Sequence, residues 1–146
     1  MDGALYGTGT SDTVPAADTV KHQLWRVEVV ATDGAWESGM ASDEITIDNT
    51  PPSIEYVQIS PEAPTAEDTL SCSYSGFFDL DGDADSSTLA WTVNGVWVSG
   101  ASTLSGVFVS GDRVSCTVTP HDGEEPGVPV SDTVIIDSLK DVAYDL

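Results

Sequence analysis

Residues 88–98 read TLAWTVNGVWV. Leu89, Trp91 and Val93 alternate with Thr88, Ala90 and Thr92, the period of two that gives a strand one apolar face. Asn94-Gly95 interrupts the run, and Val96, Trp97 and Val98 resume it. A two-residue Asn-Gly connection is a strong hairpin signal, because both central positions of a type I′ turn need positive φ. Working outward, the same alternation places Leu70, Cys72 and Tyr74 together in DTLSCSY and Val114, Cys116 and Val118 in RVSCTV. It also places Val130, Val134 and Ile136 together in VSDTVII, where Asp132 breaks the apolar set. No window carries a convincing helical period. Short strands separated by turn residues roughly every 8 to 12 positions predict an all-β, Greek-key sandwich.

The closing strands occur twice. Asp33-Gly34, Ser42-Asp43 and Ile47-Asp48 are matched by Asp122-Gly123, Ser131-Asp132 and Ile136-Asp137, at a constant offset of 89 residues and without a gap. Residues 25–49 and 114–138 therefore read as the same closing segment of two successive modules, each of a size common among small sandwiches. MDGALY, at residues 1–6, is a loose counterpart of VNGVWV, so the chain is expected to open at a mid-module hairpin. The predicted layout is a partial module lacking its opening strands over residues 1–48, a linker at 49–53, a complete module over 54–138 and a tail at 139–146. Pro51 and Pro52 mark the joint, since proline cannot continue a ladder and extends the residue before it.

Composition limits the partners. The chain has 146 residues, 40% of them hydrophobic, with 25 acidic residues against 4 Lys and Arg for a formal charge of −21. Nucleic acid and anionic membranes both require basic surface, so neither is expected as a partner. No apolar run reaches the roughly 18 residues a membrane-spanning helix needs, and no membrane insertion is expected. Divalent cations are the natural counter-ligands, although much of the charge can be plain solvated surface.

Cys72, Trp91 and Cys116 fall on the second, third and penultimate strands of the complete module. This resembles the Cys…Trp…Cys pattern of immunoglobulin-like domains, in which a disulfide joins the two sheets and the indole packs on it. The resemblance implies a Cys72–Cys116 bridge, with two buried free thiols as the other state of such a pair. A bridge implies an oxidising, extracellular or cell-surface location. MDGALYGTGT lacks the basic and apolar parts of a signal peptide, so an export signal would lie elsewhere. Val27 stands where the second module has Cys116, so the bridge is not a requirement of the fold. More narrowly, ISPEAPTAEDTLSCSYSGFFDLDGDADSSTLAWTVNGVWV is similar to the Ig-like repeats of bacterial and archaeal surface proteins, which are related to PKD and cadherin-like modules. Such repeats usually extend, stiffen or adhere, and a filament subunit built by strand exchange is a narrower version of that role for this chain.

DLDGDAD, residues 79–85, concentrates Asp79, Asp81, Asp83 and Asp85 in the loop between the second and third strands. In this topology the turn at Asp122 and the linker residues Asp48 and Asn49 belong at the same end of the module. Carboxylates this crowded repel unless a cation holds them, and calcium takes six to eight oxygens. The cluster resembles the cadherin arrangement, with Asp83-Ala84-Asp85 and Asp48-Asn49 at the matching positions, which implies calcium stiffening the boundary between modules. An EF-hand fits poorly, because Gly82 is the fourth loop position and Ala90 the twelfth.

Catalysis is not expected. His22 and His121 are the two histidines, and neither sits in a pattern with a nucleophile and an orienting group. Zinc spacing and phosphate-binding glycine loops are absent. Trp36 and Trp97 lie on turns, where an indole can stack on a sugar, so a carbohydrate-binding module and surface glycans form the alternative reading. Val142, Tyr144 and Leu146 alternate in the tail and could be donated as a strand to a neighbouring module or another copy of the chain.

Overall fold

The structure, a computed structural model, describes Gly7 and residues 13–138. The hairpin expected at residues 1–6 and the tail, with Val142, Tyr144 and Leu146, lie outside the described residues. The chain divides into two compact units, Met1–Thr50 and Pro51–Leu146.

In the first unit a short 3-10 turn at Ala16–Asp18 precedes an antiparallel hairpin of β1, Leu24–Val29, and β2, Ala41–Thr46. Leu24 pairs with Thr46 and Val29 with Ala41. On the outward face Arg26 reaches Glu28 at 3.2 Å and Glu44 at 3.7 Å; exposed pairs of this kind contribute little to stability.

The second unit carries β3 (Tyr56–Ser60), β4 (Leu70–Ser75), β5 (Thr88–Val93), β6 (Val96–Ser99), β7 (Thr103–Leu104), β8 (Arg113–Thr119) and β9 (Val130–Ile135). They form a three-stranded sheet in the order β3-β4-β7 and a four-stranded sheet in the order β6-β5-β8-β9, all antiparallel. The chain crosses between sheets from β4 to β5 and returns for β7, which is the Greek-key sandwich expected. Asn94 and Gly95 close the β5–β6 hairpin with φ of 49° and 83°, the doubly positive geometry that the Asn-Gly pair predicts.

Alternation becomes a core. Trp91, Ile59, Leu70, Val114, Val118 and Ile136 are fully buried, drawn from both sheets. Trp91 Nε1 donates to the Ala101 carbonyl at 2.7 Å, so the one polar atom of this buried indole is satisfied, as burial requires. Cys72 on β4 and Cys116 on β8 form a disulfide, with Cα atoms 6.3 Å apart, that ties one sheet to the other. Its 44-residue separation corresponds to about 4 kcal/mol in the chain-entropy description.

Asp132, which breaks the apolar run of β9, has a structural purpose. Its Oδ2 accepts the Ile59 N–H at 2.8 Å and its Oδ1 accepts its neighbour Thr133 N–H. The carboxylate thus satisfies a β3 donor that faces β9, with no ladder between those strands. Beyond it, Asp137 bridges Thr65 in parallel, which closes that edge of the sandwich.

The repeat holds in backbone detail. Adding 89 to β1 and β2 gives residues 113–118 and 130–135, and their paired register, Arg113 with Ile135, is that of Leu24 with Thr46. The Thr32–Glu37 bridge becomes His121–Pro126. His22 N–H donating to Ile47 becomes Gly111 N–H donating to Ile136, and the two donors both have positive φ, 67° and 91°. Where the first unit has Ser38 the second has Gly127, and a Cβ there would fall 1.8 Å from the Pro52 carbonyl. The close approach of the Pro52 carbonyl is what requires glycine at Gly127.

Candidate metal centre

The loop between β4 and β5 is shaped by its own carboxylate. Asp79 Oδ1 accepts the Asp83 N–H at 3.0 Å, and Gly82 turns the chain between them with φ of 81°, a value for which glycine carries no steric cost. Both ends are anchored. Ser53 and Phe78 exchange backbone hydrogen bonds of 2.8 and 2.9 Å, while Ser86 donates to the His121 carbonyl through N–H at 2.8 Å and through Oγ at 3.1 Å.

That second anchor brings the loop to the β8–β9 turn. Asp122 Oδ1 accepts the N–H groups of Glu124 and Glu125 at 2.7 and 2.6 Å, and its side chain is buried. The result is that Asp79, Asp83 and Asp122 each present a carboxylate oxygen within 4.8 Å of the others. Asp79 Oδ2 is buried and has no hydrogen-bond partner among the described residues. A buried carboxylate oxygen without a donor is costly, and the Asp79 carboxylate beside those of Asp83 and Asp122 makes a donor set of the hard-oxygen kind that Ca²⁺ takes.

Asp81 stands exposed outside this group. Asp85 is engaged elsewhere, accepting from Tyr74 Oη at 3.0 Å and from the N–H and Oγ of Ser87. Burial pushes its carboxyl upward, but those hydrogen bonds to the ionised form prevail and hold it below the ordinary aspartate value. Tyr74 is raised, by burial first and then by the Asp85 carboxylate. Asp83-Ala84-Asp85 therefore divides its carboxylates between two tasks. Asp48 and Asn49 belong to the other unit, where Asn49 Oδ1 accepts from Lys21 Nζ at 2.9 Å.

His121 Nδ1 accepts the Gly123 N–H at 2.8 Å, which requires that nitrogen to be unprotonated and leaves the proton on Nε2. The 3.9 Å approach of Nδ1 to Asp122 is then a contact within the turn and not an ion pair. Trp36 and Trp97 are largely exposed. Neither the Ser86–His121 anchor nor the Ser53–Phe78 anchor has a sequence signature, since backbone groups form them apart from one serine hydroxyl; the acidic run was the visible part of the candidate site.

No protein-family model matches the chain, and neither does any curated protein. Among solved structures, domains d3–d4 of the rat CD45 extracellular region are similar, with a TM-score of 0.53 at 11% identity over 90% of this chain and 74% of that one. The likeness is one of fold, and it agrees with the all-β, immunoglobulin-like architecture above.

Proposed function

We propose that the protein is a non-enzymatic extracellular module of structural or adhesive type, which binds calcium through Asp79, Asp83 and Asp122. The observation that carries this reading is the buried, unpartnered Asp79 Oδ2 facing two further carboxylates. A cation held there would clip the β4–β5 loop to the β8–β9 turn and stiffen one end of the sandwich. The disulfide supports an oxidising location, and the extracellular origin of the similar CD45 domains agrees with it. Against His121 as a general base stands its Nδ1, which is taken up by the Gly123 N–H. The natural partners of such a module are neighbouring modules or further copies of the chain, in a cell-surface array or filament.

Isothermal titration of the whole chain with calcium tests the site. One ion should bind with a dissociation constant in the range of about 10⁻⁴ to 10⁻³ M usual for extracellular modules, and Asp79→Asn should abolish the heat. Undiminished binding by Asp79→Asn and by Asp83→Asn would remove the site from this loop. Exposed Trp36 and Trp97 favour a second reading, carbohydrate binding; glycan retention lost in Trp36→Ala or Trp97→Ala would favour it over the first.

A further inference from the structure

We propose that Asn94 is a self-modifying residue, whose side chain reacts with the Gly95 main chain when the fold releases it and loses ammonia in doing so. The inference is independent of calcium. Of the two asparagines in the chain, Asn94 is followed by Gly95 and Asn49 by Thr50. With no Cβ to crowd it, a glycine nitrogen is the least hindered nucleophile that a neighbouring carboxamide can meet. The Gly95 nitrogen attacks Asn94 Cγ and gives up its proton, the new N–Cγ bond closes a cyclic imide, and the Cγ–Nδ2 bond breaks to release ammonia. Water then opens the imide at either carbonyl. The products are an aspartate at position 94 and its isomer, in which the main chain runs through the side-chain carboxyl.

In the fold this reaction is held in check. Asn94 Nδ2 donates to Asp112 Oδ1 at 2.8 Å, and Asn94 Oδ1 accepts the Arg113 N–H at 3.0 Å. A carboxylate can only accept and a main-chain N–H can only donate, so both ends of the amide are committed and its orientation is fixed. Asp112 is itself fixed, since its Oδ2 accepts the Val109 N–H at 2.8 Å. Those bonds, from Val109 first and then from Asn94, hold its carboxyl below the ordinary aspartate value. Turning Cγ onto the Gly95 nitrogen takes Nδ2 and Oδ1 away from both partners. Asn94 is exposed, so the barrier is this clasp and not burial, and a local opening of the turn is enough to lift it.

The product no longer fits the clasp. A carboxylate at position 94 brings no donor to Asp112 and sets a like charge beside it. The isomer also adds a main-chain carbon to a two-residue connection, whose two positive φ values fix Val93 opposite Val96. Among the described residues β6 is the outer strand of its sheet, so it is the strand that the modification loosens, together with its exposed Trp97.

Peptide mapping by mass spectrometry tests this on the whole chain aged in mildly alkaline buffer, folded and, in parallel, unfolded in urea. Conversion of Asn94 should be slower in the folded chain by at least about tenfold, because the reaction waits on local opening, whereas Asn49 should change slowly in both. Asp112→Ala should raise the folded rate by about fivefold, the worth of one hydrogen bond, and leave the urea rate unaltered. Asn94→Asp, which makes the product directly, should speed amide exchange in β6 and leave β8 protected. Equal rates in the folded and unfolded chain would overturn the proposal, and this comparison needs no variant, so it decides even where Asp112→Ala fails to fold. An unchanged rate in Asp112→Ala, with β8 exchange showing the fold intact, would overturn it as well.

Discussion

Asp132 and Asp43 hold equivalent places in the repeat with different consequences. Replacing Asp132 by Ala strips the Ile59 N–H of its acceptor, and an unsatisfied buried donor costs about 1 to 3 kcal/mol. Asp43→Ala removes only a local cap and should stay within about 0.5 kcal/mol; urea unfolding of both variants measures the contrast. Asp85 gives a pH dependence. Its folded carboxyl titrates below the unfolded value, so its contribution is present above about pH 4, the unfolded value, and is lost as pH falls through the folded one. Tyr74 is raised, so its contribution is complete below about pH 10 and fades as pH rises further. Melting temperature against pH should decline at both ends, and Tyr74→Phe should weaken the acid limb by removing a donor to Asp85. In the sequence, Asp132 was legible only as a break in alternation, because its partner lies 73 residues away. The Tyr74 hydrogen bond to Asp85 had no local signature either, since nothing in the sequence distinguishes a cation ligand from an acceptor for a tyrosine.

At the level of elements, the two hairpins share a backbone and differ in support. Among the described residues β1 and β2 form a two-stranded sheet, and two strands alone are marginal in water, whereas β8 is central in its sheet and bears the disulfide. Amide exchange should therefore be fast in β1 and β2 and slowest in β5 and β8. Gly127→Ala should destabilise the second unit, since its Cβ would meet the Pro52 carbonyl; thermal unfolding reads this. Strands with strict alternation and the Asn94-Gly95 turn were plain in the sequence. The two-residue β7 and the buried Phe108 were not, because GASTLSGVFVSGD has no regular period and its pairing depends on β4 lying alongside.

On the scale of the molecule, the offset of 89 residues was the most informative feature of the sequence, because an ungapped repeat preserves register, and register is what the two hairpins share. The Cys…Trp…Cys resemblance led to a disulfide that joins the two sheets. The candidate site was less legible: the acidic run supplied Asp79 and Asp83, and the fold brings Asp122 to them from the β8–β9 turn. A formal charge of −21 means any divalent ion will screen repulsion to some degree, so specificity has to be separated from screening. Calorimetric unfolding at about 10 mM calcium, against equal magnesium and against chelator, does this with Asp79→Asn in parallel. Site binding at the affinity given above adds about 1.4 to 2.7 kcal/mol, which for a unit of this size raises the melting temperature by roughly 5 °C or more. The expected result is a calcium-specific rise that Asp79→Asn removes; equal melting in calcium, magnesium and chelator would contradict the calcium-binding module.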